Sequence, residues 1–463
     1  MPLSLSPAGR TLILFNHDWD EIGHERALRG TGHPVDIDGF DLFSFPSNVQ
    51  LAFLDLQRWV NRLARKASSR AWTAVVSHQE QFGALAAALL AERMGWPGTP
   101  VQAILACQHK VYARQVLQQV APEACVAYAL MEAEYGDPVP PGLRYPAFVK
   151  PVKAAFSVLA REVRSQQELH RHTRFGPWER WVIRRLVEPF DRLSRERLGP
   201  GVSSAHRMML EEPVHAEQFN LDGYVFQGQL YPIGVVDAIM YPGTQAFMRH
   251  QLPTQLPQAV QDRATDVARR FLGAVGFTHG LFNMEFFYDE ARDRLSVIEF
   301  NPRMASQYSD LYLRVLGIDL HAIGLALAHG QDPACLGRVV PQAGSAASFV
   351  YRQFDPVDQV SMPDRHQREA FVRGFPDGLL FCYPKSAGSV ARDHKWLGSW
   401  RYGIVHLGGR DEAQLRERCE AASALLGWPA PYDELSQPSA ALKPGEALHM
   451  PTPSFSPAIR TRS

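Results

Sequence analysis

Residues 281–306, LFNMEFFYDEARDRLSVIEFNPRMAS, set two apolar runs on either side of a charged segment at 288–294. That outline predicts a β-hairpin. Each run carries an acid where a core residue would be expected. Glu285 lies between Met284 and Phe286, and Glu299 between Ile298 and Phe300. Side chains alternate along a strand, so Asn283, Glu285 and Phe287 share one face, as do Val297, Glu299 and Asn301 on the partner. A hairpin turning within the charged segment is expected to set Glu285 opposite Glu299 and Asn283 opposite Asn301. Two carboxylates roughly 5 Å apart repel, and burying both costs more. A hard divalent cation such as Mg²⁺, which takes oxygen ligands, removes that conflict. The competing arrangement leaves both acids in solvent, and a one-residue slip separates them onto opposite faces.

The 463 residues are enough for two to four domains, and the balance of Lys+Arg 48 against Asp+Glu 48 argues against a nucleic-acid or membrane-surface partner. Cys107, Cys125, Cys335, Cys382 and Cys419 show no C-x-x-C spacing, so they are expected to be reduced thiols of a cytoplasmic protein. Neither a signal peptide nor a membrane span is predicted.

Along the chain, residues 11–15 form an apolar run expected to be a buried parallel strand. It is followed by His17 and Asp18, at the carboxyl end where open α/β sheets bind ligands. Residues 49–66 and 84–94 have helical spacing, with a strand at 74–77 between them. The alternation predicts a small parallel α/β domain over 1–105. A helix is expected to open at 107–110. Phe148 and Val149 form a strand leading to Lys150, and the bracketing Pro146 and Pro151 argue for an edge position. Residues 161–199 predict one or two amphipathic helices, with Trp178, Trp181, Ile183, Leu186 and Phe190 on the apolar side. Strands are expected at 208–212 and 217–236. Helices follow at 258–272 and, as one unit, 308–327. A final α+β unit has strands and turns at 346–351, 371–382, 386–389 and 403–409, then a helix at 411–426. Residues 436–463, rich in Pro and Ser, predict a disordered tail.

Met284-Glu285-Phe286 followed by Val297-Ile298-Glu299-Phe300-Asn301-Pro302-Arg303 resembles the metal-binding hairpin of the ATP-grasp superfamily. Four ordered elements carry the resemblance: Lys110, the Pro146–Pro151 strand, the run 208–223 and the hairpin. It implies an ATP-grasp fold, α/β and α+β in class. A pre-ATP-grasp domain would span 1–105, the ATP-grasp domain 106–335 with a lid at about 140–210, and a C-terminal subdomain 336–435. ATP and two Mg²⁺ ions, with Mn²⁺ as a substitute, are the implied cofactors, the metals held by Glu285, Glu299 and Asn301. Lys110 and Lys150 would reach the phosphates. The usual glycine-rich flap is missing, and Lys153 and Ser157 stand where its contacts would be made. Pro213-Val214-His215-Ala216-Glu217 is similar to the P-x-H-x-E of biotin carboxylase, which makes Glu211, Glu212, Val214, His215 and Glu217 the implied adenine and ribose contacts. Arg303 would clamp the acyl phosphate or oxyanion. Arg249 and His250 are candidates for a substrate carboxylate. Asn283 stands where many dipeptide-type ligases have a histidine.

The resemblance implies an ATP-dependent carboxylate–amine ligase acting on small molecules, without nucleic acid or membrane. A homodimer is compatible with the sequence. Two other readings stay open: a biotin-carboxylase-like enzyme and a non-catalytic ATP-binding regulatory protein.

Overall fold

The computed structural model describes residues 3, 5, 9–40, 54–154, 159–355 and 360–432. The tail at 436–463 and Ser157 lie outside them.

Strands β1 (Arg10–Leu14), β2 (Val35–Asp38) and β3 (Trp72–Val76) form a parallel sheet in the order β2-β1-β3; β1 and β3 are the expected strands, whereas β2, Val-Asp-Ile-Asp, is an addition that no apolar run announces. The helix Leu56–Arg70 buries Leu56, Trp59, Val60, Leu63 and Ala67, one stripe at helical spacing, and Asp55 caps it by accepting from the Arg58 amide. It shares a core with Gly83–Met94 on one face of the sheet. On the other face, Leu325, Ala326 and Ala328 pack on Ile13, Ala74 and Val76. The expected helix at 308–327 is therefore two, Ser309–Leu316 and Leu320–Ala328, with Gly317 in the left-handed region (φ 66°) and Asp319 capping the second. No single helix among the described residues is long and apolar enough to cross a membrane.

This seam buries His24, His78 and His321 with ring centroids 4.9–5.6 Å apart. His321 Nε2 lies 3.0 Å from Asp20 Oδ1. Gly23 permits the approach, since a Cβ there would lie 2.1 Å from His321 Nδ1. Burial, then the His321 and His78 charges, holds His24 well below its usual range, and burial lowers His78 from 6.5 to about 4. A histidine whose folded pKa is depressed binds its proton more readily in the unfolded chain, so stability falls as pH drops from about 6.5 towards 4. His78 alone is expected to remove about 3 kcal/mol across that window. Urea denaturation at pH 7, 6 and 5 should show a midpoint falling with each step; a flat profile would contradict it.

A second sheet is antiparallel. It contains β4 (Tyr128–Glu134), β5 (Ala147–Pro151), β6 (Arg161–Val163) and β7 (Arg207–Glu211) in the order β4-β7-β5-β6. The strand carrying Lys150 is thus interior, not at the edge. Its prolines are tolerated because Pro146 precedes it and β6 pairs only with Ala147, Phe148 and Val149. The amphipathic helices expected at 161–199 are Gln166–Thr173 and Pro177–Leu198. The second buries Val187, Phe190 and Leu193 against the N-terminal core, whereas Trp178 (60% exposed) and Trp181 (36%) stack on each other outside it, contrary to their expected apolar packing.

The third sheet is antiparallel with eight strands: β8 (Glu217–Phe226), β9 (Gln229–Met240), β10 (Phe247–Leu252), β11 (Gly280–Asp289), β12 (Arg294–Asn301), β13 (Ser345–Gln353), β14 (Leu379–Cys382) and β15 (Trp400–Gly409). Their order is β12-β11-β8-β9-β10-β13-β15-β14, so the sheet runs on through the boundary anticipated at residue 335. Phe371 lies in the helix Arg365–Gly374, and Ser386 precedes a helix at Ala387–Leu397 rather than a turn between strands. The helix Glu412–Leu426 starts at its expected acid, Asp411 accepting from the Gln414 amide.

One face of this sheet is core. Phe219, Met284, Phe286 and Phe300 pack under the helix Gln258–Ala274, with Phe271 stacked 3.8 Å from Phe300. Each such side chain contributes about 1.5–3 kcal/mol by burial. The other face carries the acids. Glu285 pairs with Glu299 and Asn283 with Asn301, as expected, but a symmetric hairpin does not produce this register. From Asp289↔Arg294 to Phe286↔Val297 the ladder is regular, and it would set Glu285 against Ile298. The irregularity that follows takes Ile298 out of the ladder and advances β12 by one residue.

Candidate nucleotide and metal site

The bulge aims the Ile298 carbonyl at two cations. It accepts from Arg114 Nη2 at 2.9 Å and Lys150 Nζ at 3.4 Å. Both cations also meet Glu211, Arg114 Nε at 2.6 Å and Lys150 Nζ at 2.7 Å, and all three side chains are buried. Lys110 opens the helix Lys110–Val120, so Arg114 follows one turn later on the same face. The expected opening at residue 107 is corrected. Cys107 and Gln108 end the helix Val101–Gln108, and the His109 side chain caps the next by accepting from the Tyr112 amide at 3.2 Å.

Lys110 Nζ lies 2.6 Å from Glu299 Oε2 and 3.3 Å from the Ala154 carbonyl. Glu285 accepts from Asn301 Nδ2 at 3.0 Å and Gln218 Nε2 at 3.0 Å. Asn301 also donates to Asn283 Oδ1 (3.2 Å), Asn283 to Asp222 Oδ1 (3.1 Å), and the Tyr312 hydroxyl to Asp222 Oδ2 (3.0 Å). Arg303 Nη2 pairs with Glu80 Oε2 at 2.5 Å, which ties the end of the hairpin to the loop after β3.

The electrostatics are asymmetric. Burial and the charge of Glu299 push the Glu285 carboxyl up. Burial also opposes ionisation of Glu299, but Lys110, Lys150 and Arg303 together outweigh it and hold that carboxyl low. Burial lowers Lys150 and Lys153 each to about 8. Lys153 Nζ has no hydrogen-bond partner among the described residues and sits 5.1 Å from the centre of the Phe190 ring. Two facing carboxylates and a carboxamide make a set of hard oxygen donors, which fits Mg²⁺.

The structure joins Lys150 to Glu211, Lys110 to Glu299, and Glu285 to Asn301 and Asn283, and the charge of Arg303 acts on both Glu285 and Glu299. Glu212, Val214, His215 and Glu217 lie outside this set, beyond the end of β7. Glu212 pairs with Arg294 at 3.3 Å, and His215, 72% exposed, lies 3.3 Å from Glu162. Arg249 and His250 do not share a site, because neighbours on a strand face opposite ways. Arg249 donates to the Tyr432 carbonyl at 2.8 Å and stacks on that ring, on the core face. His250 faces the acids' side, against Tyr308 at 4.7 Å, and burial lowers it to about 3. Glu80, Arg114, Gln218 and Asp222 are additions to the sequence reading. Arg114 was findable from its four-residue spacing to Lys110, and Glu80 from its place after a parallel strand.

These sheets have the arrangement of the ATP-grasp fold. Residues 143–310 match the ATP-grasp domain family. It is similar to carnosine synthase 1 of Gallus gallus, 29% identical over 265 residues, which is 55% of this chain and 27% of that one. It is also similar to the D-alanine–D-alanine ligase of Synechococcus sp. (strain CC9605), 32% identical over 164 residues, 34% of this chain and 40% of that one. The chain thus spans less than half the length of either relative. Its fold is that of the L-amino acid ligase from Bacillus licheniformis, at a TM-score of 0.65 and 16% identity, covering 91% of this chain and 98% of that one.

Proposed function

We propose that this chain is an ATP-dependent carboxylate–amine ligase. The observation that carries the reading is the opposed Glu285/Glu299 pair, with Asn301 and Arg303 at its end and Lys110 and Lys150 across from it. Glu285, Glu299 and Asn301 would hold Mg²⁺, two ions in this reading and Mn²⁺ in its place, which would supply charge neutralisation at the phosphates. Lys150 and Lys153 are buried cations, and Lys110 is a partly buried one. The unpartnered ammonium of Lys153 in particular suits an anionic ligand. A substrate carboxylate oxygen attacks the γ-phosphorus as the bond to ADP breaks, giving an acyl phosphate. The amine then attacks the carbonyl carbon, the carbon–oxygen bond to phosphate breaks, and the amine loses a proton. Arg303, pinned by Glu80, would stabilise the oxyanion of that second step. The partners are small molecules, and a cytoplasmic location and a homodimer belong to the same proposal.

Incubation with ATP, Mg²⁺, hydroxylamine and each of the twenty proteinogenic amino acids should give a hydroxamate and ADP with at least one of them. ATP binding without turnover on any acid would favour a regulatory protein. Turnover stimulated by biotin and bicarbonate would favour a carboxylase.

A further inference from the structure

Asn220 lies on β8 directly opposite Glu285 and is 1% exposed. Neither Oδ1 nor Nδ2 has a hydrogen-bond partner among the described residues. Its neighbours on that face are engaged: Gln218 donates to Glu285, and Asp222 accepts from Asn283 and Tyr312. A buried carboxamide idle at both ends is uncommon, because buried polar groups are normally bonded. Its position narrows the explanation. Glu299 and Lys110 lie on one side of Glu285, and Asn220 lies on the other, away from the lysines. Farther across the same face comes His250, whose Nε2 is also without a partner among the described residues.

We propose that Asn220 binds the amino acid to be activated, with Nδ2 donating to its carboxylate and Oδ1 accepting from its ammonium. A carboxamide presents donor and acceptor side by side, and an amino acid presents the complementary pair. A simple carboxylic acid would satisfy the donor alone. The inference rests on the ligase reading and adds to it that the activated acid carries its own amino group.

The test is Asn220→Leu in the full chain, in the hydroxamate assay, using the amino acid that wild type turns over fastest and the matching acid without the amino group. The KM for the amino acid should rise at least about tenfold, since a hydrogen-bonded ligand loses both partners. The KM for ATP should stay within about twofold, and that for the deamino acid should change less than that for the amino acid. The melting midpoint should hold or rise, because an apolar isostere removes an unbonded amide from the interior. Asn220→Asp, of equal volume, loses the donor and adds a repelling charge, so it should raise the KM for both acids. A lower melting midpoint in Asn220→Leu would show that the amide is bonded within the fold and overturn the proposal. So would an unmoved amino-acid KM beside normal wild-type turnover. Absence of hydroxamate from wild type with every amino acid would instead overturn the ligase reading and this assignment with it.

Discussion

Replacing Glu299 by Gln should lower ATP turnover by about 10²–10³-fold or more while leaving the fold intact. Glu299 faces Glu285 across the hairpin and holds Lys110 at 2.6 Å. The substitution keeps the volume and removes the ionised oxygen that a hard cation needs. It also relieves the repulsion that raises Glu285, which offsets part of the lost pairing with Lys110. The melting midpoint should therefore move little, within a few degrees. Far-UV circular dichroism, ADP release and Mn²⁺ binding followed by electron paramagnetic resonance read the three consequences separately. Normal ADP release from a folded variant would remove the metal assignment, and with it the basis for reading the opposed acids as a cation site.

The opposed acids were legible in the sequence because an acid flanked by core residues on each of two apolar runs has few uses. Their register was only half legible. Period-two alternation places Glu285 and Glu299 on matching faces, but it cannot count the extra residue, Ile298, that brings them level. The partners of Ile298 were hidden for a related reason. A carbonyl turned out of a ladder has no signature in side-chain types, and Arg114 lies 184 residues from it. Pro151 misled in the other direction. A missing N–H forbids one ladder bond, not interior placement, and β6 stops before it needs that bond. Arg249 and His250 show a rule that was available: adjacent strand residues cannot both face one pocket. In the final unit, Phe371 and Ser386 were assigned by composition; the helix holding Phe371 is capped, with Asp364 accepting from the Gln367 amide, whereas the helix after Ser386 has no side-chain cap bond.

Glu211 offers the sharpest choice between a structural and a ligand-binding role. Its carboxylate is shared by Arg114 and Lys150 in the interior, 97 residues from the first of them. Removing one partner of a buried ionic cluster leaves the others uncompensated, at a cost of about 3–5 kcal/mol. Glu211→Gln should therefore lower the urea midpoint markedly, since the amide can accept one bond but neutralises neither cation. Lys150 is already held at about 8 by burial with Glu211 present. Without that charge its pKa should fall further, and near neutral pH the lysine would lose part of its charge and, in the ligase reading, its hold on the phosphates. A higher KM for ATP should accompany the stability loss, and lowering the pH towards 6 should recover some of it by protonating Lys150. A role confined to a ribose hydroxyl predicts another pattern, in which the urea midpoint is unchanged and the raised KM does not respond to pH. Denaturation and KM measured on the same variant at pH 6 and pH 8 separate the two.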